Sequence, residues 1–228
     1  MIVAIMPARG GSKRIPGKNI REFLGRPLIS YPVRAAKESG IFDRIIVSTD
    51  SKEIARISVD AGAEVPFMRP AELSDDHTPT NPVLMHAIDW LRNNGTVPEF
   101  FCCMYANPFI TAENLRESCR LMRERRISSV IPVATFPFPI FRAFKKTPAG
   151  NIEFVYPEYS MTRSQDLPEA CHDVGQFYWC NTGKFIETGR MLQPDTLPYM
   201  IDRHLCQDLD NLEDWALAEK LFETFMRK

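Results

Sequence analysis

The sequence has almost no net charge: 28 Lys and Arg stand against 29 Asp and Glu, a formal charge of −1. A general nucleic-acid binder carries a strong basic excess, so that class is not expected. No apolar stretch is long enough to span a bilayer, and no membrane partner is expected. The N-terminal apolar run stops at Pro7 and Arg9, too short for a signal-peptide core, so a cytoplasmic location is expected. Cys102, Cys103, Cys119, Cys171, Cys180 and Cys206 contain no Cys-x-x-Cys pair, which argues against a zinc site. Most of them read as small buried apolar residues in a reducing cytosol. The histidines are His77, His86, His172 and His204; none has Glu-x-x-His spacing or an evident nucleophile partner. There is no Gly-x-Ser-x-Gly elbow, and acyl-transfer chemistry has no support. Internal repeats and low-complexity tracts are also missing.

What is present begins at Pro7. The segment Pro7-Ala8-Arg9-Gly10-Gly11-Ser12-Lys13-Arg14-Ile15-Pro16-Gly17-Lys18-Asn19 follows directly on the apolar run Met1–Met6. It concentrates Arg9, Lys13, Arg14 and Lys18 with no carboxylate, and Arg21 adds to them. A glycine-rich turn leaving a strand can direct backbone N–H groups at an anion, and Arg and Lys supply the charge a polyphosphate requires. The segment reads as a triphosphate cradle. It is not a P-loop: five residues separate Gly11 from Gly17, and Asn19 stands where a metal-binding hydroxyl belongs. Pro16 also disfavours the helix a P-loop would start. The competing reading is a solvated basic loop, against which Ile15-Pro16-Gly17 between strand and helix counts.

The chain of 228 residues is long enough to bury roughly 70% of its unfolded surface, and one domain over 1–228 is the simplest reading. Strand and helix signals alternate through the first two thirds. Strands are expected at Ile2–Met6, Arg44–Ser48, Glu64–Phe67, Glu99–Tyr105 and Ser129–Thr135. Helices are expected at Pro27–Glu38, Ser51–Ala61, Asn81–Leu91 and Ala112–Arg125, with a last helix at Leu212–Met226. This order predicts a three-layer α/β fold around a mostly parallel sheet, whose ligands bind beyond the carboxyl ends of the strands. A β excursion is expected at 136–176, with a hairpin around Pro148-Ala149-Gly150-Asn151 and a crowd of rings at Phe136, Phe138, Phe141 and Phe144.

Asp208-Leu209-Asp210 is the second chemical feature. In an extended chain residues two apart face the same side, so both carboxylates can meet one hard cation, Mg²⁺ above all, with Mn²⁺ as an alternative. The bland alternative makes Asp210 the N-cap of the last helix.

Taken together, Ala8–Asn19, Ser48-Thr49-Asp50, Arg69-Pro70-Ala71-Glu72-Leu73, Arg163-Ser164-Gln165-Asp166, Gly175-Gln176-Phe177-Tyr178-Trp179 and Asp208-Leu209-Asp210 resemble the cytidylyltransferases that activate acidic sugars. These are the CMP-sialic acid synthetases and their relatives, and the motifs at Arg163–Asp166 and Gly175–Trp179 are most similar to the pseudaminic acid branch. The resemblance implies a Rossmann-like sheet of the nucleotide-sugar transferase type and transfer of CMP from CTP to a nine-carbon acidic sugar. It implies that Ala8, Arg9, Gly11, Ser12, Lys18 and Asn19 contact the nucleotide, with Arg69 and Thr80 near the base. It implies Tyr105, Arg163, Gln165, Phe177 and Tyr178 at the sugar, Arg163 as a fork for its carboxylate. It further implies Arg9, Lys18, Asp208 and Asp210 as catalytic, metal at the two aspartates, and a homodimer built around the excursion. Of Phe177 and Tyr178, alternation makes one a core residue. Sialic and legionaminic acids are alternative substrates. A CMP-Kdo synthetase fits less well at Gly11, Lys13 and Asn19, and a catalytically silent nucleotide-binding subunit is the reading from another class. Tyr105-Ala106-Asn107-Pro108 departs from the family pattern, being one residue shorter.

Overall fold

The structure is a computed structural model and describes residues 1–227. In chain order the elements are β1 (Ile2–Pro7), β2 (Glu22–Phe23), β3 (Arg26–Pro27), α1 (Ser30–Ser39), β4 (Arg44–Ser48), α2 (Lys52–Ala61), α3 (Thr80–Asn93) and β5 (Phe100–Met104). Then follow α4 (Ala112–Arg125), β6 (Ser129–Thr135), β7 (Phe144–Lys146), β8 (Ile152–Phe154), β9 (Cys171–Asp173), β10 (Phe177–Asn181), α5 (Thr182–Thr188), β11 (Leu197–Met200) and α6 (Leu212–Phe225).

The main sheet has the order β11-β6-β10-β5-β1-β4, with β9 also paired to β6. Strands β4, β1, β5, β6 and β11 run one way, while β10 and β9 run against them. The sheet is therefore mostly parallel, as the alternation predicts. Side chains alternate between its faces. Ala4, Met6, Cys102, Met104, Phe177 and Trp179 pack under α1, α2 and α4, while Val3, Ile5, Phe101, Cys103, Tyr178 and Cys180 pack against α3 and α5. This gives the three layers. Cys102, Cys103, Cys119 and Cys180 are buried in them as small apolar residues, and burial pushes their thiols up, Cys103 to about 12.

A third apolar cluster lies off the sheet, where Ile15, Phe23, Leu28, Phe109, Leu209 and Trp215 meet. It anchors the basic loop through Ile15 and the Asp208–Asp210 segment through Leu209. The two chemical features of the sequence thus share one apolar foundation.

Three local expectations differ. Glu64–Phe67 makes only the isolated bridge Ile46↔Glu64, with a second at Thr49↔Met68, because Pro66 has no N–H for a ladder. The first long helix starts at Ser30 and not Pro27: Leu28 N–H donates to Arg21 O and Ile29 N–H to Asn19 O, which hold this stretch to the basic loop. Phe177–Asn181, where no strand is among those expected, is a central antiparallel strand, and it carries Phe177 and Tyr178, which the resemblance places at the sugar. The excursion carries its hairpin as expected, β7 and β8, with the turn at Gly150 in the left-handed region (φ 85°).

Candidate active site

A cavity of about 360 Å³ opens beyond the carboxyl ends of β1 and β5. Its size suits a small ligand. It is lined by Arg9, Ser12, Arg14, Lys18 and Asn19 of the basic loop, by Arg69, Thr78 and Thr80, and by Tyr105, Asn107, Gly175, Asp208 and Asp210.

The basic loop is held open by its own contacts. Asn19 is buried and donates from Nδ2 to Arg9 O (3.0 Å), so the start and end of the loop are tied together. Gly17 takes a left-handed φ of 64°, where glycine is favoured. Gly10 N–H donates to Asp50 Oδ1 (2.8 Å), and a Cβ at Gly10 would lie 3.2 Å from Ser51 Cβ. That N–H is committed within the chain, and the cavity is lined by side-chain cations more than by a backbone nest. Arg9 pairs with Asp76 (2.6 Å), Lys13 pairs with the same carboxylate, and Arg14 pairs with Asp210 (2.6 Å). Lys18 forms no ion pair among the described residues. Burial lowers its pKa from 10.5, and the nearby charges of Asp208 and Asp210 partly offset that.

Arg69 is buried. It donates from Nε to Ser48 Oγ (3.2 Å) and from a terminal nitrogen to Ser48 O, and burial lowers its pKa. It is no surface residue. Thr80, at the start of α3, shares a hydrogen bond with the Tyr105 hydroxyl (2.9 Å). Burial raises the Tyr105 pKa, so this phenol stays protonated as a hydrogen-bonding group.

Asp208 and Asp210 sit on an extended segment between β11 and α6. Leu209 between them is buried in the third cluster, so the two carboxylates face the cavity side. The N-cap of α6 is Asn211, not Asp210. Asn211 accepts from Glu213 N (2.8 Å) and Asp214 N (2.9 Å), and Asp214 Oδ2 accepts from Asn211 N and Asp210 N (both 3.1 Å). Asp210 is thus left free of the capping role. Among the described residues no group of three or more His, Cys, Asp or Glu could cage a metal. Two same-side carboxylates facing cations that suit a polyphosphate nevertheless match Mg²⁺, which keeps waters and takes phosphate oxygens.

Of the other expected site residues, the structure brings several elsewhere. Ala8 is buried beneath the sheet and its N–H donates to Ser48 O (2.9 Å), so it offers a ligand neither side chain nor donor. Gly11 is exposed beside Ser12, with nothing within 4 Å of where a Cβ would sit. Phe177 is 0% exposed and points to the α1/α4 face; it cannot line a sugar pocket, because pleating sends it opposite to Tyr178. Tyr178 packs edge-on to Tyr105 and donates its hydroxyl to Asp173 Oδ2 (2.6 Å). Arg163 and Gln165 lie on an exposed turn of the excursion, away from the cavity of this chain, and Arg163 pairs with Asp166 (2.6 Å).

Sequence reasoning gave no role to several residues found at the site. Asp50 and Asp76 hold the basic loop, and Asp173 accepts from Gly175 N (2.8 Å), fixing a turn whose Gly175 lies against Asp208. Asn107, which lines the cavity, and Gln176, which follows the lining Gly175, are buried amides. The departure of Tyr105–Pro108 from the resembled pattern is the one sequence signal that points to Asn107.

The cytidylyltransferase family profile matches residues 3–135. The pseudaminic acid cytidylyltransferase of Campylobacter jejuni is 35% identical over 97% of this chain and 96% of its own length. The CMP-N,N'-diacetyllegionaminic acid synthase of Legionella pneumophila is 32% identical over the same shares. Among solved structures, a CMP:2-keto-3-deoxy-manno-octonic acid synthetase complexed with CTP has a TM-score of 0.70 and covers 98% of each chain at 14% identity, a likeness of fold.

Proposed function

The chain belongs to the cytidylyltransferase family, and on that footing we propose that it transfers CMP from CTP to the anomeric hydroxyl of a nine-carbon acidic sugar, pseudaminic acid. The observation that carries this reading is a single cavity lined by Arg9, Lys18, Asp208 and Asp210 together.

In this reaction the sugar hydroxyl oxygen attacks the α-phosphorus, the bond from that phosphorus to the oxygen bridging to the β-phosphate breaks, pyrophosphate leaves with the bridging oxygen, and the hydroxyl proton passes to water. Such transfers rest mainly on alignment and charge. Arg9 and Lys18 bind the triphosphate and stabilise charge on the departing pyrophosphate. To do so Arg9 exchanges its Asp76 partner for phosphate oxygens. Ser12 and Asn19 hold the nucleotide's phosphates in register, and Arg69 and Thr80 face the base. Asp208 and Asp210 would hold Mg²⁺, which when bound neutralises phosphate charge and lowers the pKa of the attacking hydroxyl.

We assign the sugar to the side of the cavity carrying Tyr105, against which the buried Tyr178 packs. Arg163 and Gln165 reach it from the excursion of a second copy in a homodimer. The exposed apolar side chains of that region support this assembly: Phe138 is 79% exposed and Met161 92%, with Phe144, Ile152 and Val155 also exposed. Arg163 would then offer its fork to the sugar carboxylate. No helix among the described residues is long and apolar enough to cross a membrane, and we place the enzyme in the cytoplasm with its CTP.

Pyrophosphate release from CTP and Mg²⁺ with a panel of nonulosonic acids tests the proposal. Pseudaminic acid should give the highest kcat/KM. A higher value with legionaminic or sialic acid would reassign the sugar, and no release with any of them would leave a nucleotide-binding subunit.

A further inference from the structure

We infer that Asn107 and Gln176 are positioning residues that hold Asp208 and Asp210 at the cavity wall. The inference rests on the reading of that pair as metal ligands.

The segment from Ile201 to Asn211 joins β11 to α6 without a ladder of its own. A segment with so few fixed main-chain groups would let its carboxylates wander. Among the described residues, the hydrogen bonds that reach the main chain of Leu205–Asp208 from outside this segment come from two side chains. Asn107 Nδ2 donates to Gln207 O (3.0 Å), and Gln176 Nε2 donates to Leu205 O (2.6 Å). Asp208 is the next residue. Both amides are buried, Asn107 3% exposed and Gln176 0%.

Asn107 is held at its side chain and Gln176 at its main chain. Asn107 Oδ1 accepts from Phe109 N (2.9 Å), and Tyr105 N donates to Gln176 O (2.9 Å), which joins the end of β5 to the start of β10. The two clamps therefore come from the loop just after β5 and the residue just before β10, two strands that pair in the middle of the sheet. Gln176 carries a cost as well: its Oε1 is buried with no partner among the described residues. A methionine of similar volume would avoid that cost, so packing does not explain the glutamine; its donor to Leu205 O does. With carbonyls 205 and 207 held and Leu209 seated in its apolar cluster, alternation turns Asp208 and Asp210 toward the cavity. Groups of this kind behind a metal ligand are worth about 10–100-fold in metal affinity or activity.

The test uses Asn107→Ser and Gln176→Met. Serine keeps an acceptor near Phe109 N–H but is too short to span to Gln207 O, so the loop's own turn survives while the clamp is lost. Gln176→Met keeps the volume and drops the donor. Two readouts are taken well below each variant's Tm: the Kd of Mn²⁺ alone from its free-ion EPR signal, and the affinity for CTP in EDTA. We expect Mn²⁺ to bind about 10-fold more weakly to each variant, with the CTP affinity of Gln176→Met, whose side chain is not part of the cavity lining, within about twofold of the parent. The Mg²⁺ concentration for half-maximal pyrophosphate release should rise by a similar factor. Unchanged Mn²⁺ binding and Mg²⁺ midpoint in either folded variant, beside an Asp208→Asn control that loses Mn²⁺, would overturn the positioning role and leave the metal reading standing. Mn²⁺ binding that survives Asp208→Asn would overturn the metal reading, and the inference with it.

Discussion

Lys18 shows how one residue's surroundings set its working range. Its ammonium is half-buried and lacks an ion-pair partner among the described residues, and desolvation lowers its pKa below 10.5 while Asp208 and Asp210 pull it back up. Between the lowered folded value and the ordinary unfolded one, the unfolded chain binds more protons, so this group's contribution to folding stability rises with pH. CTP binding runs the opposite way, because the triphosphate requires the charged form. CTP affinity measured in EDTA should therefore fall as pH rises, earlier than for an ordinary lysine. Lys18→Arg should remove that alkaline limb, since a guanidinium stays protonated. An identical limb in Lys18→Arg would show that another group titrates. The contrast of Phe177 with Tyr178 belongs to the same scale: adjacent aromatics take opposite faces of β10, and only the tyrosine finds polar partners.

At the scale of elements, the start of α6 and the end of β5 do unusual duty. The capping box of Asn211 and Asp214 satisfies the first turn of α6, and Asp214 also takes the N–H of Asp210. Helix capping and the orientation of a proposed metal ligand are thus one structure. Asn211→Ala should cost about 1 kcal/mol, which for a chain of this length lowers Tm by about 2–4 °C. Thermal unfolding checks it; an unchanged Tm would mean that the box contributes nothing in solution. The loop after β5 closes tightly. Asn107 replaces regular backbone pairing with a side-chain bond on each side, to Phe109 N and Gln207 O. Pro66 acts in the other sense, reducing an apolar run beside β4 to isolated bridges.

For the whole molecule, the main sheet buries its faces within one chain, whereas the excursion does not. Phe138, Phe144, Ile152 and Met161 remain exposed around a two-stranded hairpin, and such hairpins are marginal alone. Partly buried rings give it some order, Phe141 packing on Tyr156 and Tyr159. Light scattering on the purified protein at micromolar concentration should give about twice the 26.1 kDa of one chain. Phe138→Glu should shift the mass toward a single chain and weaken the sugar more than CTP, if the second copy's Arg163 serves the sugar site. A mass near 26.1 kDa for the parent would refute the dimer and leave Arg163 without access to the cavity.

By itself the sequence determined the layers and the local chemistry, because both are written at short range. Apolar runs such as Ile45-Ile46-Val47 made buried strands, Thr111 opened α4, and the cations from Arg9 to Lys18 were neighbours in the chain before they were neighbours in space. Tertiary structure decided whatever depends on contacts between distant residues. It placed β10 antiparallel in the middle of the sheet, which turned Phe177 inward, and it buried Arg69 against Ser48. It also brought Asn107 to Gln207 and Gln176 to Leu205, across 100 and 29 residues. No periodicity encodes a side-chain amide meeting a carbonyl so far along the chain; only the closed fold makes the pair.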